Sequence, residues 1–174
     1  MHKIVLLGYM GCGKTTVGGL LAKALNYSFI DLDKFIEKNE GLSVSKIFET
    51  KGELYFRAQE RKYLEVLLDK PKRIVLSLGG GTPCYYDTMD YIVSQNNVKS
   101  LYLNAGIDIL ANRLKNENQT RPILSHIKNI DDIKEFIAKH LFERNLFYKR
   151  AHFQIKTDKK TLKKIVVEIQ QKLS

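Results

Sequence analysis

The chain has 174 residues, 44% of them hydrophobic and 28% charged, with 11 glycines, 3 prolines, nine tyrosines and eight phenylalanines. That length suits one domain, able to bury roughly 70% of its unfolded-chain surface without metal or disulfide, and the composition excludes collagen-like, mucin-like and disordered classes. The net charge of +10 leaves three readings: nucleic-acid binding, anionic small-molecule substrates, or a solvated lysine-rich surface, and no RNP-like or helix-turn-helix signature supports the first.

The apolar runs fall well short of the ~18 to 20 residues of a transmembrane helix. The first of them, Ile4-Val5-Leu6-Leu7, is also shorter than the ~7 to 15 residues of a signal-peptide core. Two cysteines, Cys12 and Cys84, support neither a disulfide framework nor a four-ligand zinc site. The expected setting is cytoplasmic and reducing.

No repeat, low-complexity tract or linker interrupts the chain. Ile4 to Leu7 reads as a buried strand ending at Gly8, and Val17, Leu20, Leu21, Ala24 and Leu25 follow at helical spacing. Ser28-Phe29-Ile30 is a short second strand ending at Asp31, and residues 43–48 and 53–68 look helical. Arg73 to Leu78 is the third strand, closed by Gly79-Gly80-Gly81, with a helix expected from there to about Asn96. Ser100 to Leu103 is the fourth, followed by a helix with Asp108 as its N-cap. Residues 116–128 are mostly polar and read as a mobile loop. A helix from about Asp131 to Tyr148 precedes a weaker fifth strand, His152 to Ile155. Leu162, Ile165, Val166, Ile169 and Leu173 mark a final amphipathic helix. Strands alternating with helices predict an α/β protein whose parallel sheet is covered on both faces.

Gly8-Tyr9-Met10-Gly11-Cys12-Gly13-Lys14-Thr15 matches the phosphate-loop pattern G-x4-G-K-[ST] between a strand and an amphipathic helix. The glycines let backbone N–H groups point at phosphate oxygens, and the helix N-terminus adds partial positive charge. Lys14 supplies a point charge for the β and γ phosphates, and the Thr15 hydroxyl is a Mg²⁺ ligand. A chance match in a chain this long is on the order of one in a hundred.

Three further features bear on what accepts the phosphate. Asp31-Leu32-Asp33 ends the second strand, so both carboxylates would share a face at the sheet's C-terminal edge. The bland alternative is a helix N-cap plus a surface charge. Phe56-Arg57-Ala58-Gln59-Glu60 puts Arg57 and Glu60 three apart on a helix, either as a pre-organised carboxylate receptor or as an ordinary exposed pair. Gly79-Gly80-Gly81 costs backbone entropy and suits close approach of a ligand to the main chain; a plain tight turn would rarely need three.

Together these residues resemble the shikimate kinase family, small P-loop kinases related in fold to nucleoside monophosphate kinases. The resemblance rests on G-x-M-G-x-G-K-T at 8–15, D-x-D at 31–33, F-R-x-x-E at 56–60, G-G-G at 79–81, Arg121-Pro122-Ile123-Leu124 and R-x-x-x-Y at 144–148. It implies a three-layer α/β/α fold with a five-stranded parallel sheet, in one domain over 1–174. It also implies a helical acceptor-binding segment at about 31–62 and a mobile lid at about 112–128. The implied reaction is MgATP-dependent phosphorylation of the 3-hydroxyl of shikimate, on the route to chorismate and aromatic amino acids.

The resemblance assigns ATP binding to Gly11, Cys12, Gly13, Lys14, Thr15, Thr16, Arg113 (as adenine stacking partner) and the lid residue Arg121. Lys14, Asp33 and Arg121 would be catalytic. Thr15 would ligate Mg²⁺, with Asp31 reaching it through water. Asp33, Gly79, Gly80 and Gly81 would meet the shikimate ring and its hydroxyls, Arg57 and Arg144 would clamp its carboxylate, and Phe48 and Phe56 would wall the pocket. Arg150, after Lys149 where many members carry an acidic residue, competes with Arg144. The implied partners are shikimate and ATP, with no nucleic acid or membrane, and the expected state is a monomer. The rivals are a gluconate or nucleotide kinase of the same fold and a nucleotide-dependent nucleic-acid-binding regulator.

Overall fold

The structure is a computed structural model and describes residues 3–116 and 129–174. In chain order the elements are β1 (Lys3–Leu7), α1 (Lys14–Leu25), β2 (Ser28–Asp31), α2 (Leu32–Glu40), α3 (Val44–Asp69), β3 (Ile74–Ser77), a 3-10 turn (Thr82–Cys84), α4 (Thr88–Ser94), β4 (Val98–Asn104), α5 (Ile107–Asn116), α6 (Ile130–Tyr148), β5 (Phe153–Lys156) and α7 (Leu162–Leu173). The strands form one sheet in the order β2-β3-β1-β4-β5, and every pairing is parallel. This is the predicted three-layer α/β/α arrangement.

Burial explains the strand sequences. The residues of β1 and β3 are all buried, so apart from the terminal Lys3 and Ser77 these central strands read as apolar runs rather than alternating ones. The edge strands β2 and β5 are only partly buried, which is why they are the weaker signals. In this order the crossover from β1 to β2 and the one from β3 to β4 run in opposite directions, so the neighbouring strands β1 and β3 flank a switch point at the carboxyl edge of the sheet. Open α/β sheets bind ligands at such a switch point.

Three local expectations change. The reading of Asp31 and Asp33 as two residues of one strand face is overturned: β2 stops at Asp31, which caps α2 by accepting from the Lys34 N–H at 3.3 Å, and Asp33 sits in the first helical turn. That helix carries Leu32 and Ile36 into the core and ends at Gly41, whose φ of 67° is left-handed. The long helix expected after the glycines is a 3-10 turn followed by the short α4. Asp108 is a first-turn residue of α5 rather than its cap, and it pairs with Lys134 of α6 at 2.7 Å. The two helical segments expected at 43–48 and 53–68 are the two parts of α3, separated at Gly52 (φ 82°, ψ 168°). Among the described residues no helix is long and apolar enough to cross a membrane.

Two neighbouring glycines in α1 separate packing from helix propensity. A Cβ on Gly18 would lie 2.4 Å from a ring carbon of Phe29 and 3.1 Å from Leu6, whereas a Cβ on Gly19 would meet nothing within 4 Å. Gly18→Ala is therefore expected to lose about 1–3 kcal/mol of stability by overpacking. Gly19→Ala should instead gain roughly 0.5–1 kcal/mol. Denaturant titration of the two variants, with midpoints moving in opposite directions, checks this.

Candidate active site

The phosphate loop folds because its glycines occupy backbone that other residues avoid. Gly11 and Gly13 have φ of 78° and 98°. At Gly8 a Cβ would approach the Leu103 carbonyl to 2.6 Å. Gly13 caps α1 and Lys14 begins it, so the lysine leaves the helix N-terminus at the mouth of the loop. Lys14 is largely buried, and its Nζ donates to the carbonyls of Gly8 (2.8 Å) and Tyr9 (3.1 Å). Thr15 Oγ1 donates to Asp31 Oδ2 at 3.2 Å.

A cavity of about 550 Å³ opens over this loop. Gly11, Gly13, Lys14, Thr15, Thr16 and Arg113 line it around the phosphate loop, with Asp31 beside Thr15, and Asp33, Gly79 and Gly80 line it toward the second end. Arg113 reaches across from α5, its Nη1 donating to the Gly11 carbonyl at 2.8 Å. Cys12 does not line the cavity; it is buried, with Sγ 3.8 Å from Lys14 Nζ. Leu162, the first residue of α7, also lines it and was not marked as a site residue by sequence. Its only sequence signal was an apolar residue at the exposed start of a helix.

Behind the second end lies a compact charged cluster. Arg57 Nη1 donates to Glu60 Oε2 at 2.7 Å, and its Nε and Nη2 donate to Glu53 Oε1 at 3.3 and 3.2 Å. The guanidinium also lies over the Tyr85 ring (4.3 Å to the centroid), with Phe56 and Phe48 at 5.5 and 5.8 Å. Phe48 and Phe56 thus flank the arginine rather than line the cavity. Arg144 lies over Tyr9 of the phosphate loop at 5.6 Å. Arg150, beyond the end of α6, is exposed and paired with Asp90, while Arg144 lies closer to the three glycines, its Nη1 3.7 Å from the position of a Cβ on Gly80. Glu53 and Tyr85, themselves hydrogen-bonded at 2.7 Å, had no local sequence signal.

The three glycines provide room for these charges. None of the three has a positive φ. A Cβ on Gly79 would lie 2.8 Å from Glu60 Oε1 and 3.0 Å from Asp33 Oδ1; one on Gly81 would lie 2.7 Å from Arg57 Nη2. At Gly80 it would come 3.4 Å from the Met10 N and 3.7 Å from Arg144 Nη1. The Gly80 carbonyl accepts from Tyr148 at 2.5 Å.

Burial pushes the Asp33 carboxyl up to about 7, helped by the charges of Glu60 and Asp31 and opposed by Lys14 and Arg57. Its Oδ1 is buried and has no hydrogen-bond partner among the described residues. Glu60, also buried, is pushed up by burial against the pull of Arg57 and Thr82. A carboxyl with proton affinity near neutrality, set between two cationic sites, is suited to aligning a hydroxyl and taking its proton. Arg121, expected in the lid, lies outside the described residues.

The shikimate kinase family model matches residues 10–174. The chain belongs to the shikimate kinase family. The shikimate kinase of Flavobacterium johnsoniae is 43% identical over 97% of each chain. Among solved structures, that of Bacteroides thetaiotaomicron shikimate kinase superposes with a TM-score of 0.90 at 37% identity, covering 99% of this chain and 98% of that one. The Acinetobacter baumannii shikimate kinase, solved in complex with shikimate, gives 0.87 at 30% identity over 99% and 93%. The family's activity is ATP-dependent phosphorylation, so the phosphate loop belongs to a kinase.

In this shikimate kinase fold the raised Asp33 carboxyl makes stability depend on pH. Between the ordinary value of 3.8 and about 7, the folded chain keeps a proton that the unfolded chain has released. Its contribution to stability is therefore greatest at low pH, falls through that window and levels off above about 7. Asp33→Asn has no such proton to lose. It is expected to melt above wild type, with the gap widening between about pH 4 and pH 7 and level above that. A thermal melt series at constant ionic strength checks the trend, and a gap independent of pH would contradict it.

Proposed function

We propose that this chain transfers the γ-phosphate of ATP to the 3-hydroxyl of shikimate, giving shikimate 3-phosphate and ADP. The observation that carries the reading is the juxtaposition of a phosphate loop and two arginines, Arg57 and Arg144, on either side of Asp33. ATP would lie along residues 11–16, with its base between Arg113 and the apolar face of Leu162. Lys14 would bind the β and γ phosphates. The shikimate carboxylate would be held by Arg57 and Arg144, its ring against Gly79, Gly80 and Gly81.

Thr15 and Asp31 fit a Mg²⁺ ion. They are hard oxygen donors in contact at 3.2 Å at the cavity wall. The described residues hold no cluster of three or more acidic, histidine or cysteine ligands. That suits an ion taking few protein ligands and the rest from phosphate and water. Thr15 would ligate it directly and Asp31 through water. When bound, Mg²⁺ neutralises charge on the transferring phosphate.

Phosphoryl transfer passes through a loose transition state, so alignment and charge neutralisation dominate. Asp33 aligns the 3-hydroxyl and accepts its proton as the oxygen bonds to phosphorus and the ADP oxygen leaves. Lys14 stabilises the charge spreading over the β and γ oxygens. Arg121 would join it from the lid and help to exclude water from the transferring group. Both substrates are anions, and the chain's +10 charge would speed their encounter. The reading carries with it a cytoplasmic monomer without nucleic-acid or membrane partners.

The deciding assay is ADP release with MgATP alone, then with shikimate, gluconate or a nucleoside monophosphate panel. Stimulation by shikimate alone is expected; stimulation by gluconate or a nucleotide instead would overturn the acceptor assignment. Arg57→Ala should raise the shikimate KM about 10- to 100-fold, the loss of a hydrogen bond to a charged group, with the ATP KM unchanged. Arg121→Ala should lower kcat by roughly 10³, the scale of arginine-finger effects. A near-wild-type kcat would remove it from the mechanism.

A further inference from the structure

The Thr82 hydroxyl has no part in the reaction described above, yet it is buried against the acceptor clamp. Thr82 opens the 3-10 turn directly after the three glycines and is 1% exposed. Its Oγ1 donates to Glu60 Oε1. Glu60, also 1% exposed, accepts from Arg57 Nη1 at its other oxygen. One carboxylate is thus held from two elements, by a guanidinium of α3 and by a hydroxyl of the turn. The space around it is closed. The point where Gly79 would carry a Cβ is 2.8 Å from Glu60 Oε1, 2.9 Å from Thr82 Oγ1 and 3.0 Å from Asp33 Oδ1.

An ionised carboxylate at that depth needs donors. Without the Thr82 hydroxyl, Oε1 would face the second carboxyl, Asp33, with its own donor gone. Such a group relieves its desolvation by taking up a proton, and a neutral acid holds a guanidinium less firmly than a carboxylate does. We propose that Thr82 is a positioning residue for the acceptor clamp: its hydroxyl keeps Glu60 a fixed carboxylate, and Glu60 in turn presents Arg57 to the acceptor's carboxylate.

The inference rests on the reading of Arg57 as the acceptor clamp. The groups around Glu60 leave its proton affinity raised overall, so the loss of one donor would tip it further toward the neutral acid. Burial raises the proton affinity of Glu60 and Glu53 adds to this, while Arg57 and the Thr82 hydrogen bond lower it. From α2, Asp33 repels Glu60, and is itself flanked by Asp31 and Lys14. Cys84 on the same turn, near Arg144 and Arg57, is pushed up to about 11 by burial and stays a neutral thiol. Of these groups Thr82 alone donates to Glu60 without carrying charge, so its removal changes the balance without adding or deleting a charge.

The test compares the intact wild type with Thr82→Val and Thr82→Ser, measuring both KM values and the pH dependence of kcat/KM for shikimate from about pH 5.5 to 9. Thr82→Val is expected to raise the shikimate KM roughly 5- to 50-fold, leave the ATP KM unchanged and move the acid limb to higher pH. Thr82→Ser should restore both. In a Glu60→Gln background the valine substitution should add nothing, because the two act through one contact. Should the valine variant fail to fold, Thr82→Ala is held to the same outcomes. An unchanged shikimate KM and acid limb overturns the inference, as do equal effects on both substrates or failure of serine to rescue. If wild type does not phosphorylate shikimate, the acceptor reading falls and this inference with it, an outcome distinct from an active wild type with an indifferent Thr82.

Discussion

Three absent β-carbons set the geometry on which the acceptor half depends. Gly79, Gly80 and Gly81 follow β3 at the carboxyl edge of the sheet, and the space their side chains would fill is taken by Glu60, Thr82 and Asp33 at the first, Arg144 and the loop backbone at the second, and Arg57 at the third. Backbone conformation is not the reason for the glycines, since none of the three has a positive φ. The requirement is close approach of charged groups to one another across bare main chain. Two carboxyls packed this closely would repel and be poorly solvated. Arg57 and Thr82 offset part of that cost at Glu60, and the proton affinity of both carboxyls stays raised.

The same arrangement separates the site into two cationic ends with an acid between them. Lys14 and the α1 N-terminus form one end, Arg57 and Arg144 the other. Tyr9 joins them. Its carbonyl accepts from Lys14 Nζ at 3.1 Å, its ring carries Arg144, and its hydroxyl bonds to His140 of α6 at 2.9 Å. A residue of the phosphate loop therefore helps to seat the α6 arginine. Asp33 lies where the two ends meet, its proton affinity raised by burial to about 7, which suits the proton-accepting role proposed for it. A more stable protein would place an apolar residue there; the cost in stability is the usual companion of a functional carboxyl.

Features set by neighbouring residues were legible in the sequence. The run of β1, the glycines of the loop and the amphipathic α1 are local patterns, and each took its expected form. The D-x-D pair shows where local reasoning stops. Both aspartates reach the cavity as expected, but through a strand end and a helical turn, because Asp31 caps α2 and ends β2 there. The signals for α2 were present in Leu32, Ile36 and the closing Gly41, spread over only ten residues. Thr82, Tyr85 and Leu162 were invisible for a different reason. Tyr85 meets Glu53 across 32 positions and Thr82 meets Glu60 across 22, and no periodicity encodes such pairs.

The break in α3 explains how the clamp can be rigid. Gly52 interrupts the helix one residue before Glu53 and five before Arg57. Such a kink would ordinarily loosen the turns beyond it, but Glu40 at the end of α2 spans it. Its carboxylate accepts from Lys51 at 2.9 Å on one side of Gly52, and from Tyr55 at 2.7 Å and Tyr63 at 3.3 Å on the other. Arg57 is then fixed from three sides, by Glu53, Glu60 and the Tyr85 ring. An arginine free in solution carries about 2 kcal/mol of rotamer entropy, lost when it grips a ligand. Here most of that ordering is done by folding, so a ligand gripped by Arg57, as proposed for the acceptor, need not supply it. In the proposed role of Arg57, interaction energy at the acceptor's carboxylate, remote from the reacting hydroxyl, would then be available to hold that hydroxyl in line with the transferring phosphate.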